Sequence, residues 1–391
     1  MAVFLLVVLA VYGGANFYIL RRGGQAFAGY PTARAVFFVV CGLLIAAYPL
    51  GRVFNRPSWG RISDTLIHSG SFYLALMVNV FFALLALDIF RLANRAFRFF
   101  PNTWAADPQR IGLIAFAAVC GVSVLGLVGG YFNALHPRLR TLDIRIDRPA
   151  GGGRGRLNVV AASDIHLGTI MDSRKLETIV ATINALEPEI VLLPGDIVDE
   201  SVSIAEEEKM ISVLRSIKAP LGVFSVPGNH EYYGGFAKNM EYLARGGLRV
   251  LQDEAVTVDG AFVLAGRKDP TALRFGEKRK TLPEILEGAE VDRALPVILL
   301  DHQPVHLKEA EDAGVDFQLS GHTHAGQLFP LNLINKRIYE QYWGYLRKGR
   351  TQYYVSCGVG TWGPPVRTGS IPEIVQVRVE FKPPDVRLPS H

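Results

Sequence analysis

The sequence predicts an all-α membrane-spanning region followed by an α/β domain built on a mixed sheet or two packed sheets. Three observations predict it. Long apolar runs are confined to the first third of the 391 residues. From Leu157 onward, apolar runs of strand length alternate with helical periodicities. Segments rich in Asp, Asn and His follow most of those strand runs.

Residues 1–135 hold four long apolar runs: about Ala2–Leu20, Ala35–Leu50, Phe72–Phe90 and Ile111–Ala134. A spanning helix needs ~20 mostly apolar residues, and each run approaches or exceeds that length. The first run lacks the basic leader of a signal peptide and is followed by Arg21-Arg22, so it reads as a span. Pro49 and its shorter length make the second run the weakest. Gly126 and Gly130 would permit close helix packing, or are simply ordinary small residues in a bundle. Asn79 is polar at mid-span, but no ladder of ionisable groups crosses the runs, which leaves a transport role unsupported.

The arginines flanking these runs do not settle orientation by number. Arg21, Arg22, Arg34, Arg91, Arg95, Arg98 and Arg110 fall on one side. Arg52, Arg56, Arg61, Arg138, Arg140, Arg145 and Arg148 fall on the other. The pair directly after the first helix favours an outside N-terminus, and four spans then place the C-terminal domain outside as well. The expected location is a membrane, with the C-terminal domain on its outer side. The formal charge of +5 fits topology and surface contact, not nucleic-acid binding. Cys41, Cys120 and Cys357 imply neither a disulfide framework nor a thiolate metal site.

Residues 136–156 read as a linker, with a half-buried strand at Leu142–Ile146 and a flexible break at Gly151–Gly153. Residues 157–382 form the α/β domain, and 383–391 a tail. Buried strands are expected at Leu157–Ala162, Ile190–Leu193, Val223–Val226, Val297–Leu300 and Phe317–Leu319. Helices are expected at Arg174–Leu186, Ala205–Ile217, Phe236–Arg245, Leu282–Gly288 and Val305–Ala313. Ala261–Leu264, Tyr353–Ser356 and Ile374–Phe381 are strands without intervening helices, so part of the sheet is antiparallel.

Five short segments carry the chemistry. They are Asp164-Ile165-His166, Gly195-Asp196-Ile197-Val198-Asp199, Gly228-Asn229-His230-Glu231, Asp301-His302 and Gly321-His322-Thr323-His324. Alternate side chains at a strand end share a face, so Asp164 and His166 can reach one cation. A carboxylate at Asp196 can bridge two cations, Asn229 offers a neutral oxygen, and His322 and His324 bring two imidazoles together. Each segment alone is commonplace; the set supplies about seven N/O ligands and no sulfur. Such donors suit Mn, Fe or Zn. Two such ions ~3.5–4 Å apart can activate a bridging hydroxide and stabilise an in-line displacement at phosphorus. His230 follows a ligand without needing to be one, so it is free to serve a leaving oxygen, with Asp199 holding its tautomer. Glu231 reads as a solvated or capping acid, or as a partner of the ligands.

In this order the segments resemble the pattern of the calcineurin-like metallophosphoesterase superfamily, over roughly Val159–Gln327. The resemblance implies two mixed β-sheets sandwiched between helices, an αββα sandwich. It implies two divalent metal ions: Asp164, His166, Asp196 and His324 for the first, and Asp196, Asn229, His302 and His322 for the second, with Asp196 shared. His230 would be catalytic and Asp199 its partner. The stretch Gly321–Gln327 resembles that of a branch containing membrane-attached bacterial phosphodiesterases, whose usual form has Gly where this chain has Ala325.

The expected function is hydrolysis of a phosphate ester, phosphodiester or pyrophosphate, and tethering to the bilayer adds a lipid-linked or envelope substrate. The alternatives are a hydrolase of soluble phosphodiesters or nucleotides with the helices as anchor, and a metal-binding sensor without turnover. Arg367 is a candidate contact for a substrate phosphate. Lys336–Arg350, rich in Tyr, Trp and basic residues, reads as a lid, a headgroup contact or a loop packed by its own aromatics.

Overall fold

The computed structural model describes residues 2–54, 60–99, 107–199, 202 and 204–383, so Arg56 and the tail beyond 383 lie outside the described residues. The chain divides into two compact units. One is Met1–Asn133 with Leu328–Pro330 and Gly363–Thr368; the other is Ala134–Gln327 with Leu331–Trp362 and Gly369–His391.

The first unit is built on four helices: α1 (Ala2–Ala26), α2 (Pro31–Val53), α3 (Gly60–Phe97) and α4 (Pro108–Ala134). Among the described residues, α2, α3 and α4 are long and apolar enough to cross a membrane. α1 has 25 residues. Large apolar side chains such as Leu43, Val122 and Leu125 face outward, while Ile19, Met77, Val80, Leu84 and Phe116 pack inside. Pro49 is accommodated within α2 because the Ile45 carbonyl, which its missing N–H leaves unmatched, accepts the Tyr12 hydroxyl at 2.8 Å. The close helix approach falls at Gly70, where a Cβ would lie 2.3 Å from the Tyr48 nitrogen; Gly126 has only Asn79 Nδ2 within 4.0 Å. Asp88 accepts the Tyr18 hydroxyl at 2.6 Å and pairs with Arg22, tying α1 to α3.

Among the described residues, the second unit carries twelve strands: β1 (Arg138–Ile146), β2 (Arg156–Ala161), β3 (Ile190–Leu193), β4 (Val223–Ser225), β5 (Arg249–Val250), β6 (Glu254–Val258), β7 (Phe262–Gly266), β8 (Val297–Leu300), β9 (Phe317–Ser320), β10 (Gly344–Lys348), β11 (Thr351–Val355) and β12 (Glu373–Phe381). They form two six-stranded sheets, ordered β1-β12-β2-β3-β4-β5 and β10-β11-β9-β8-β7-β6. Both are mixed: β2, β3 and β4 run parallel while β12 is antiparallel to β2, and β7, β8 and β9 run parallel while β6 and β10 are antiparallel to their neighbours.

Strand alternation sorts the side chains into layers. Val159 of β2, Leu264 of β7 and Ile298 and Leu300 of β8 meet in one core between the sheets. Val160 and Val191 face the other way, onto α5 (Ser173–Ala185), α6 (Ile204–Arg215) and α8 (Phe236–Arg245), the last of which follows the short α7 (Asn229–Tyr233). Val263 and Leu299 face α9 (Leu282–Gly288) and α10 (Lys308–Asp312). The result is the αββα sandwich.

Three expectations need correction. The stretch 136–156 is not a detached linker: β1 pairs in parallel with β12 over its whole length, and Gly151–Gly153 forms a 3₁₀ turn whose first N–H donates to Ala261 O. The segment Lys336–Arg350 is not one loop, since it contains the end of α11 (Leu331–Ile338) and all of β10. Within it, the Trp343 indole N–H donates to Glu373 and Arg140 lies over the Trp343 ring. α10 is shorter than the predicted Val305–Ala313, because Val305 and His306 are spent on turns that lead into it.

Candidate metal centre

The five segments lie beyond the ends of β2, β3, β4, β8 and β9, where loops of both sheets can converge. The turns are tight. Asp164 (φ 54), His166 (φ 56), Asp196 (φ 53), His322 (φ 72) and His324 (φ 48) all adopt the left-handed region. Asp and His are among the non-glycine residues that reach it most readily, at a cost of about 1–3 kcal/mol each. Ala325 is also left-handed, at φ 47. Glycine would adopt this conformation without the strain a Cβ brings.

Asp164, His166 and His324 gather in one cluster and Asp196, His302 and His322 in another. In the first, the Nε2 atoms of His166 and His324 face each other at 2.9 Å, and Asp164 Oδ1 lies 3.6 Å from His324 Nε2. In the second, Asp196 Oδ2 lies 3.0 Å from His302 Nε2, and Asn229 Oδ1 lies 2.8 Å from His322 Nδ1. Asp196 Oδ2 is also 3.9 Å from His166 Nε2, so one carboxylate reaches histidines of both clusters. His302 Nδ1–H donates to Pro194 O at 2.7 Å, which fixes the tautomer and leaves Nε2 as the ligating atom. His230 Nδ1 lies 2.5 Å from Asp199 Oδ1, and its ring stands edge-on to His166 at 4.7 Å. The structure thus brings together all seven ligand candidates and the His230–Asp199 pair. Arg367 is fully buried, with its backbone bonded to Gly130 and Asn133 in the helical unit.

Burial pushes His166 down to about 4, helped by the charge on His230, and His322 down to about 3, helped by that on His302. Both are therefore neutral at pH 7, as metal ligands must be. Burial lifts the Asp164 carboxyl to about 6. Burial opposes the charged forms of Asp196 and His302, yet His302 holds Asp196 well below the usual carboxylate range and Asp196 holds His302 well above the usual imidazole range. Burial is likewise overcome at His230, which the charge of Asp196 and the hydrogen bond to Asp199 lift to about 9.

Divalent cations fit this donor set. Two imidazole nitrogens facing each other at 2.9 Å repel unless a proton or cation lies between them, and two ligands ~2.1 Å from a common ion have about this separation. Asp164 Oδ2 is buried without a hydrogen-bond partner among the described residues. Gly228 keeps the centre open: a Cβ there would sit 2.1 Å from Asp196 Oδ1.

Glu231 is the residue the sequence undervalued. It is fully buried rather than solvated, and its carboxylate accepts N–H groups from Asp196 (3.1 Å), Ile197 (2.7 Å), Val198 (2.9 Å) and Gly228 (2.7 Å). It caps α7 and also locks the Asp196 loop against the Asn229 loop. Asp301 pairs with Arg267 and Arg279 and is a buried pin beside His302, not a ligand. Tyr339, from the aromatic segment, stands edge-on to His322 at 6.2 Å. Besides His166, the rings that meet His230 include Tyr233 and Trp362, which no motif singled out.

A mixed two-sheet sandwich with Asp, His and Asn donors beyond its strand ends defines a class of metal-binding α/β proteins. Residues 157–326 match the family model described as calcineurin-like phosphoesterase. Over 228 residues the chain is 36% identical to an uncharacterized metallophosphoesterase of Aquifex aeolicus, covering 58% of this chain and 86% of that protein. It is 33% identical over 255 residues to an uncharacterized metallophosphoesterase of Helicobacter pylori, covering 64% of this chain and 66%, about two thirds, of that one. It is also 33% identical over 290 residues to a Bos taurus protein named transmembrane protein with metallophosphoesterase domain, covering 70% of this chain and 64% of that one. The chain belongs to the calcineurin-like metallophosphoesterase family.

Proposed function

We propose that this chain is a membrane-anchored, metal-dependent phosphoesterase that hydrolyses phosphate ester, phosphodiester or pyrophosphate bonds. The observation that carries the reading is the pair of neighbouring clusters joined by Asp196, with protonated His230 beside them. Asp164, His166, Asp196 and His324 would hold one ion, and Asp196, Asn229, His302 and His322 the other. Bound there, Mn, Fe or Zn would supply the positive charge that activates water and neutralises the oxygens of an in-line displacement at phosphorus.

The chain's own groups supply the rest. Asp199 takes His230 Nδ1, so Nε2 is the atom that holds a proton for the leaving oxygen. Glu231 keeps the Asp196 and Asn229 loops in register. Arg367 belongs to the proposal as a phosphate contact; being 1% exposed, it serves only a phosphate that enters the interior.

The test is hydrolysis of bis-p-nitrophenyl phosphate and p-nitrophenyl phosphate by the full chain in nanodiscs, after chelation and with Mn, Zn or Fe restored. Turnover is expected only with metal. His230→Ala should keep its metal and lose about 10²–10⁴-fold in kcat. Loss of metal in that variant would make His230 a ligand, and metal-loaded protein without turnover on either ester would count against the hydrolase.

The same proposal places the helices, α1 included as a fourth span, in a bacterial inner membrane, with the α/β unit outside. An epitope fused after His391 should then be cut by protease added to spheroplasts. Protection until the membrane is opened would reverse the orientation. The tethering is what supports a lipid-linked substrate within this proposal.

A further inference from the structure

His230 stands in a patch of aromatic rings that neither metal cluster uses. Its imidazole meets Tyr233 at 5.7 Å and 79° and Trp362 at 5.8 Å and 67°. Phe275 continues the patch, 6.2 Å from Tyr233 and 5.8 Å from Tyr232. Trp362 is 57% exposed, Tyr233 53% and Phe275 45%.

The backbone beneath these rings is fixed. The Trp362 N–H donates to Gln327 Oε1, and its carbonyl accepts Gln327 Nε2, both at 3.0 Å. Tyr232 stacks on Phe236 at 4.4 Å, which anchors the end of α7 where Tyr233 sits. Phe275 closes the 3₁₀ turn Pro270–Phe275, whose first N–H, that of Thr271, is held by the buried Asp269: its Oδ1 accepts Thr271 N–H at 2.8 Å and also the Gln303 side-chain amide at 2.9 Å. Rings on a fixed backbone with about half their surface in water cost little ordering entropy to bind something flat or greasy. Clustered exposed apolar surface of this kind marks recognition rather than packing.

The position of the rings says which part of a substrate they meet. His230 Nε2 is the proton donor to the leaving oxygen, so whatever that oxygen carries emerges over the rings that touch His230. We propose that Tyr233, Phe275 and Trp362 form a subsite for an apolar leaving alcohol, an aryl or alkyl group large enough to cover them. The proposal rests on the phosphoesterase reading. In the reaction, water oxygen bonds to phosphorus and loses a proton. The P–O bond to the alcohol breaks, its electron pair stays on the alcohol oxygen, and that oxygen takes the His230 proton. The proton lost by the attacking water passes to solvent, His230 takes one back from solvent, and no redox partner is needed.

Binding separates the subsite from turnover. The full chain in nanodiscs, loaded with Mn and with its metal content measured, is titrated calorimetrically with methyl-, butyl- and hexylphosphonate and with benzylphosphonate. The expected result is a two- to fourfold gain in affinity per methylene, the range for partial to full burial of a CH₂ group. Trp362→Ala and Phe275→Ala should each cut the hexyl-to-methyl affinity ratio about tenfold, and the same ratio of kcat/KM for the matching phosphate esters should fall alongside it. A steady rise through hexyl points to a lipid alcohol; benzyl binding more tightly than hexyl points to an aromatic one. A flat series with all phosphonates bound overturns the subsite and leaves the phosphoesterase reading standing. No phosphonate binding to metal-loaded protein overturns both.

Discussion

Replacing Asp196 by alanine is expected to lower metal binding and turnover together. Its Oδ2 reaches His302 Nε2 at 3.0 Å and His166 Nε2 at 3.9 Å, while Oδ1 accepts the His230 N–H at 2.9 Å. A single side chain therefore links both histidine clusters to the loop that carries the proposed acid. Without it, each proposed ion keeps two imidazoles and loses one negative charge that balances it. Metal content should drop from two equivalents to one or fewer, and kcat/KM by at least about 10³-fold, beyond the loss typical of one stabilising donor. Asp196→Asn keeps the shape and removes the charge, so it separates geometry from electrostatics. Metal analysis and diester hydrolysis on the same sample read both effects, and undiminished turnover in Asp196→Ala would refute the assignment.

Glu231→Ala should give the largest loss of stability from a single side chain near the centre. Four backbone N–H groups converge on this buried carboxylate. Alanine leaves them without acceptors in a place water does not reach, and each unmet donor costs about 1–3 kcal/mol. Partial relaxation of the loops brings the expected total to about 3–5 kcal/mol, at the upper end for single substitutions. For a domain of this size that is a fall in Tm of about 10 °C or more. The measurement is made on metal-free chain, so lost metal cannot mimic it. Glu231→Gln, which keeps one acceptor and the volume, should fall between; an unchanged Tm in Glu231→Ala would show that the loops hold themselves.

Much of this was legible in the sequence, and the reasons differ by element. β3, β8 and α8 occupy the spans expected of them because their signals are local: unbroken apolar runs of strand length and an amphipathic turn-by-turn pattern. The ligand loops were legible because metal chemistry restricts residue types at fixed offsets. The half-buried strand at Leu142–Ile146 was read, but as part of a linker, because its alternation says only that one face is covered, not by what; its partner lies more than two hundred residues away. Glu231 was undervalued because a carboxylate beside a motif looks the same whether water or four amides surround it. The rings around His230 come from three distant segments, α7, the Pro270–Phe275 turn and Trp362, and no spacing rule joins them.

The strand order of the first sheet sets a timetable for synthesis. β12 lies between β1 and β2, yet it is the last strand of either sheet to be translated. Roughly 200 residues separate the end of β2 from the start of β12, about 10–40 s of elongation at ~5–20 residues per second. Through that interval β1 and β2 flank an empty slot, each with an unpaired edge open to misjoining. The ligand loops are all made before the slot is filled, so the strand that completes the sheet arrives after every residue of the centre. A nascent chain halted short of Glu373 would carry all the chemistry on an unclosed frame.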